Sequence, residues 1–279
     1  MSRPRVYLTL LLGLTCTSPL IAQSRSIRRI SEIRRLSQQL RWVDTAQSGE
    51  YERTKAVITQ RLLKELDTYL GESLRPDLMT AEPVTQTMDS ALEYKRGDAR
   101  HNVAFFADLP TARLLVVGIE ITRGGPAIPE DAVSFRAYKA DGGRWNLAAN
   151  SAVWESATDL YAQQLTSAPV KGQFWFLGSV IVTPSQAPPM IAIRLYAFDG
   201  VQFTMAWMPT DSRVQVCQHC VQAAEPKESF TVIPDGFVVN KLFDPTGHAP
   251  HSPNIVIHDQ FVTTAGGPTK VKSWRTERR

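Results

Sequence analysis

Two cysteines and two histidines are the residues whose types and spacing most clearly suggest chemistry. Cys217 and Cys220 lie in the segment VCQHCV, and His248 and His251 follow in GHAPHSP. Two thiolates at CxxC spacing and two imidazoles can bind zinc tetrahedrally in a structural site. The four residues therefore form a candidate zinc site, although the cysteine and histidine pairs are far apart along the chain.

A disulfide is the alternative for the same cysteine pair, and it is the one we favour. Two neighbouring cysteines in an oxidising compartment most often bond to each other. A Cys217–Cys220 bond closes a very small ring, so it would fix a turn and add little through chain entropy. Val221 stands where a c-type haem motif has histidine. The valines around the pair indicate a strand or loop, whereas a thioredoxin-like CxxC begins a helix.

The sequence holds no recognisable catalytic signature. It lacks a GxSxG elbow, an HExxH motif, a GxxxxGK[ST] loop and a GxGxxG after a strand. Acidic residues such as Glu120, Asp131, Glu155 and Asp159 could pair as in glycosidases, but most acidic exported domains offer such pairs. A secreted hydrolase acting on carbohydrate or ester is therefore an alternative, and a non-catalytic protein is favoured.

The N-terminal segment has the pattern of a secretory signal peptide. Two arginines precede an apolar run at 6–14, and Ala22 provides a small residue before a cleavage point. The run is shorter than the roughly 20 apolar residues that a helix needs to span a bilayer. We expect residues 1–22 to be removed and the protein to be periplasmic or extracellular. Retention as an uncleaved anchor is the alternative, because Leu20 is larger than the residue preferred at −3.

Residues 23–75 are predicted to form a helical hairpin. Apolar residues recur every three or four positions in 24–47, which places them on one stripe of a helix. The segment Glu50–Leu70 repeats this pattern, and Gly71 is a residue type that often ends helices. Residues 76–99 are polar and proline-containing, which indicates a linker with a short helix around Thr87–Tyr94.

Residues 100–275 are predicted to form an antiparallel β-rich domain. The clearest segment is Met190–Trp207, where residue types alternate on both sides of Asp199-Gly200, as in a β-hairpin. Three further turns of this kind occur, at 141–143, 235–236 and 266–267. The predicted fold class is mainly β with N-terminal helices (α+β), with the sheets in a sandwich, a barrel or a propeller-like array.

Three consecutive aromatic residues, Phe174, Trp175 and Phe176, lie on one of these predicted strands. Successive side chains of a strand point to opposite faces of the sheet. The three rings therefore cannot all be buried in the same core, and at least one points to the other face of the sheet. We expect the N-terminal helices to cover that ring.

The charge distribution predicts where partners bind. The chain has a formal net charge of +4, and its basic residues concentrate near both ends. Residues 24–41 hold six arginines against Glu32 alone, and 270–279 hold five basic residues against Glu277, including a basic tail at 276–279. Such ends can contact anionic lipid headgroups. Nucleic acid is not expected as a partner of an exported protein.

These features predict an exported, non-catalytic binding or structural protein of the bacterial cell envelope or extracellular space. Its partner would be an unknown envelope protein or polymer, with peripheral contact to a membrane surface through the basic ends. An unrecognised secreted hydrolase and a structural zinc-binding protein are the alternatives. No cofactor is predicted apart from the candidate zinc ion.

Overall fold

Helices come first and strands follow along the chain in a computed structural model of the protein. The structure describes residues 18–42, 49–78, 80, 82–92, 99–121, 132–151, 154–155, 157–182, 189–209, 225–243 and 255–277. The described helices are α1 (Ser18–Trp42), α2 (Gly49–Ser73) and α3 (Glu82–Leu92). The described strands are β1 (Ala99–Leu109), β2 (Ala112–Ile121), β3 (Ala132–Asp141), β4 (Arg144–Asn150), β5 (Trp154–Glu155), β6 (Ala157–Gln164), β7 (Phe174–Val182), β8 (Met190–Phe198), β9 (Phe203–Trp207), β10 (Phe230–Ile233), β11 (Gly236–Phe243), β12 (Ile255–Thr264) and β13 (Gly267–Glu277).

The strands form three antiparallel sheets in which neighbours in space are neighbours in sequence. Sheet 1 has the order β1-β2-β3-β4 with β5 also paired to β3, sheet 2 has the order β6-β7-β8-β9, and sheet 3 has the order β10-β11-β12-β13. Strands make up 53% of the structure, and none of these sheets closes into a barrel. The predicted fold class, mainly β with N-terminal helices, is confirmed.

The sheets are stacked, and alternation along single strands buries both faces of sheets 1 and 2. On β2, Val117 packs against the helices while Val116 packs against sheet 2. On β7, Phe176 packs against sheet 1 while Trp175 and Leu177 pack against sheet 3. The layers therefore follow the order helices, sheet 1, sheet 2, sheet 3.

The position of Trp175 corrects one expectation from the sequence. Its ring leaves the core of Phe174 and Phe176, as the alternation requires, but it is buried against sheet 3 and not beneath the helices. The prediction that the helices cover this ring is wrong. Sheet 1 lies between them, and the helices cover Trp145 of β4 instead.

The three helices, which we call the helical unit, share one apolar core with sheet 1. The α1 stripe includes Ile33, Leu36 and Leu40, which are buried together with Leu66 of α2. Helix α3 lies within the predicted linker, and Pro83 stands in its first turn, where proline is tolerated. In the described part of the chain, no helix combines the length and apolarity needed to cross a membrane.

Gly71 has a different role from the one its residue type suggested. Helix α2 continues past it to Ser73. A Cβ at position 71 would lie 2.5 Å from the carbonyl oxygen of Trp145. Glycine therefore allows α2 to approach the backbone of β4 closely. The predicted helix, which ended at Leu70, stops three residues before the observed end at Ser73.

A buried ion pair connects α2 to sheet 1. The guanidinium of Arg136 on β3 donates to both carboxylate oxygens of Asp67 on α2, at 2.7 and 2.5 Å. The hydroxyl of Tyr138 donates to the same carboxylate at 2.8 Å. The Arg136 side chain is only 5% exposed and that of Asp67 16%. Burial, the largest single influence, lowers the pKa of Arg136, but the hydrogen bonds and charge interactions with Asp67 and Tyr138 together outweigh it, and the pKa is raised.

Replacing Asp67→Asn should destabilise the fold by about 3 kcal/mol, because it leaves the Arg136 charge buried without a counter-ion. Urea unfolding followed by circular dichroism measures this change. Asp77→Asn is the matched control, because Asp77 pairs with Arg75 where the side chains are 64% and 81% exposed. The control should change the free energy of unfolding by less than about 0.5 kcal/mol. Equal changes in the free energy of unfolding for the two substitutions would show that the buried pair does not stabilise the packing of α2 on sheet 1.

Two buried tyrosines should make the fold sensitive to high pH. Burial, and then the negative charge of Asp67, raise the pKa of Tyr138 well above 10.0, and burial raises the pKa of Tyr196. Because the folded pKa values exceed the unfolded ones, unfolded chains lose these protons first, so stability is lost as the pH rises above about 10. The full chain has seven tyrosines, and six remain once residues 1–22, which include Tyr7, are removed. Tyrosinate absorbance of the mature protein should show two of these six ionising only on unfolding. In Tyr138→Phe, one late-titrating group should disappear; an unchanged titration would contradict the assignment.

Candidate functional site

A groove between α1 and α2 is lined by charged side chains of both helices. Its volume is about 560 Å³. Five arginines, two glutamates and one serine line it, namely Arg25, Arg28, Arg29, Ser31, Glu32, Arg35, Arg61 and Glu65. The lining therefore has an excess of three positive charges.

The helical period explains how the groove forms. Arg25, Arg28, Glu32 and Arg35 follow one another at three or four residues, so they share one side of α1. The apolar stripe of α1 faces the core, which leaves the charged side on the surface. Arg61 and Glu65, one turn apart on α2, supply the opposite wall.

Ion pairs between the two helices hold the walls together. Glu32 accepts hydrogen bonds from Arg35 at 2.8 and 2.7 Å and lies 2.6 Å from the guanidinium of Arg61. Arg29 lies 2.6 Å from Glu65 and 3.1 Å from Glu72. The hydrogen bond from Arg35 lowers the pKa of Glu32. Both carboxylates of the groove are therefore neutralised by arginines.

Arg25 and Arg28 are different from the other three arginines. Both are exposed, and neither makes an ion pair with a carboxylate among the described residues. A guanidinium offers five N–H donors in a planar fork that matches carboxylate and phosphate oxygens. The groove thus presents free guanidinium groups beside arginines that are already held in place, an arrangement suited to binding an anion.

The residues predicted to bind zinc cannot be placed in this site. Cys217, Cys220, His248 and His251 all lie outside the described residues, so the zinc site and the disulfide both stay predictions. Over the described ranges, no three His, Cys, Asp or Glu side chains converge to hold a metal ion.

The acidic residues considered for a hydrolase lie in contrasting surroundings. Asp131 is outside the described residues. Glu120 on β2 is 1% exposed, whereas Asp159 on β6 is exposed and has a φ of 53°. Glu155 belongs to the two-residue strand β5. None of these three lines the arginine groove.

His258 lies within a side-chain cluster of sheet 3. Its Nδ1 is 2.9 Å from Oδ1 of Asn240 and its Nε2 is 2.7 Å from Oγ1 of Thr276. The imidazole stacks on the ring of Trp274 with centroids 5.0 Å apart. Burial lowers the pKa of His258. Both ring nitrogens are engaged within the sheet, so this histidine serves packing.

The sequence alone identified only one wall of this groove, the one on α1. It identified the basic run at 24–41, but it did not connect Arg61 and Glu65 of α2 with that run. The spacing of the arginines on α1 was the available signal, because residues three and four apart share one side of a helix. The opposite wall depends on how the helices pack.

Comparison of the chain with models of known protein families, with curated proteins and with solved structures finds no match.

Proposed function

We propose that this chain is an exported, non-catalytic binding protein of the bacterial cell envelope, and that it holds an anionic ligand in the groove between α1 and α2. The observation that supports this proposal is the convergence of five arginines from two helices, of which Arg25 and Arg28 make no close ion pair with a carboxylate among the described residues. In this proposal the three sheets are the scaffold that carries the helical unit.

The concentration of like charge supports a ligand of opposite charge. Arg25 and Arg28 are one turn apart, and like charges at this spacing destabilise an isolated helix. An anion with several charges would neutralise the excess and would accept charge-assisted hydrogen bonds, which are stronger than neutral ones. The packing of α1 on the core offsets the repulsion while the groove is empty of such a partner.

The groove is also preorganised. Glu32 bridges Arg35 and Arg61 across the two helices, and α2 is fastened to sheet 1 through Asp67. Side chains that are already ordered lose less conformational entropy when a ligand binds. This supports a binding role for the groove more than a role as an ordinary solvated surface.

Inorganic tripolyphosphate is a suitable probe for isothermal titration calorimetry with the mature protein. Arg28→Ala should weaken its binding by about tenfold, because a hydrogen bond to a charged group is lost. Binding should weaken as salt is added, since the charges are partly exposed.

Arg75→Ala is the matched control, because Arg75 is an exposed arginine of the connection between α2 and α3 and does not line the groove. It should leave the affinity for tripolyphosphate unchanged. An equal loss in Arg28→Ala and Arg75→Ala, or the absence of tripolyphosphate binding to the unsubstituted protein, would contradict the proposal.

A further inference from the structure

Resting on the proposed function, we infer that the anions taken by the groove are the phosphates of anionic phospholipid headgroups, and that the solvent-facing side of α1 and α2 lies on a membrane surface. In this inference the groove is one part of the surface of α1 and α2 that contacts the membrane. Three features of the described residues support it. The exposed cations extend along both helices, exposed apolar side chains lie on the same helices, and the lysines of the C-terminal basic end are already in contact with residues of sheet 3.

The positive charge continues beyond the groove along α2. Arg53, Arg61 and Lys64 are exposed and spaced by eight and three residues, so they lie on one side of this helix. Together with the exposed arginines of α1 they form what we call the basic face, which consists of Arg25, Arg28, Arg35, Arg53, Arg61 and Lys64. A broad array of cations on a helix pair matches an extended anionic surface better than it matches one small anion.

Two apolar side chains project into solvent from the same two helices. Ile27 on α1 is 58% exposed. It is about 100° around the helix axis from Arg28, so it lies beside the arginines of α1 and not among them. Val57 on α2 is 63% exposed and lies four residues from both Arg53 and Arg61. A single exposed apolar residue is ordinary in any protein. Apolar side chains beside arginines and lysines, however, are the composition of faces that enter the interfacial region of a bilayer.

The C-terminal basic end is not equivalent to this face. Lys270 lies 3.7 Å from the buried carboxylate of Asp259, and the ammonium of Lys272 lies 5.2 Å from the ring centroid of Trp274. These two cations are therefore engaged within sheet 3. The predicted contact through both basic ends becomes, in this inference, a contact through the N-terminal helices.

Vesicle sedimentation tests the inference with the mature protein. The protein should sediment with vesicles of phosphatidylglycerol mixed with phosphatidylcholine, and it should stay in solution with vesicles of phosphatidylcholine alone. High salt should release it. Arg25→Glu with Arg28→Glu should lower the affinity at least about tenfold, since basic residues near an anionic leaflet each contribute to binding. Arg53→Glu with Arg61→Glu should do the same from α2.

Lys139→Glu with Lys171→Glu is the matched control. It makes the same change in net charge at exposed positions of β3 and of the connection between β6 and β7, and it should keep at least half of the binding. Circular dichroism and urea unfolding establish that each variant is folded. An equal loss in the control would show a dependence on net charge only and would overturn the inference. If only Lys272→Glu with Arg275→Glu lowered the binding to vesicles, the membrane contact would lie on sheet 3, and the inference would be overturned as well.

The vesicle and tripolyphosphate experiments separate the two proposals. Binding of tripolyphosphate without binding of phosphatidylglycerol vesicles would refute the membrane contact and leave the anion-binding function in place. Failure of both would refute both.

Discussion

The buried contact between Asp67 and the pair Arg136 and Tyr138 is the constraint on which the helical unit depends. It joins α2 to β3 inside the layer interface, where an unpaired charge is costly. Hydrophobic packing presses helices onto a sheet but specifies their position loosely. The bidentate geometry and the close approach at Gly71 allow few positions of α2, and α1 takes its own position from α2.

The sheets extend this stack by a simple repetition. Each four-stranded meander presents one set of side chains to the layer before it and the other set to the layer after it. Sheets 1 and 2 are thereby buried on both faces, which explains the nearly continuous apolar runs of β2 and β7. Sheet 3 has a more polar last strand, β13, whose side chains are largely exposed.

The candidate site follows from the same order of layers. Because α2 and α3 pack on sheet 1 and α1 packs on α2 and α3, the outer sides of α1 and α2 face solvent, and their arginines are brought together there. Glu32 and Glu65 neutralise part of this charge and tie the helices to each other. The groove is therefore a consequence of helix docking, and its stability is linked to the buried pair below it.

Local pattern in the sequence determined the fold class, the two long helices and the hairpins at glycine-containing turns, because periodicity and turn chemistry act over a few residues. It also showed the basic run of α1. It predicted a short helix around Thr87–Tyr94, which overlaps α3 at Glu82–Leu92 but begins too late. It was wrong about the layer that covers Trp175, since alternation shows that a strand has two faces but not which layer covers each. Arg136 and Asp67 are 69 residues apart, and Glu32 and Arg61 lie on different helices. Only tertiary structure could join them, because such pairs depend on how complete layers pack.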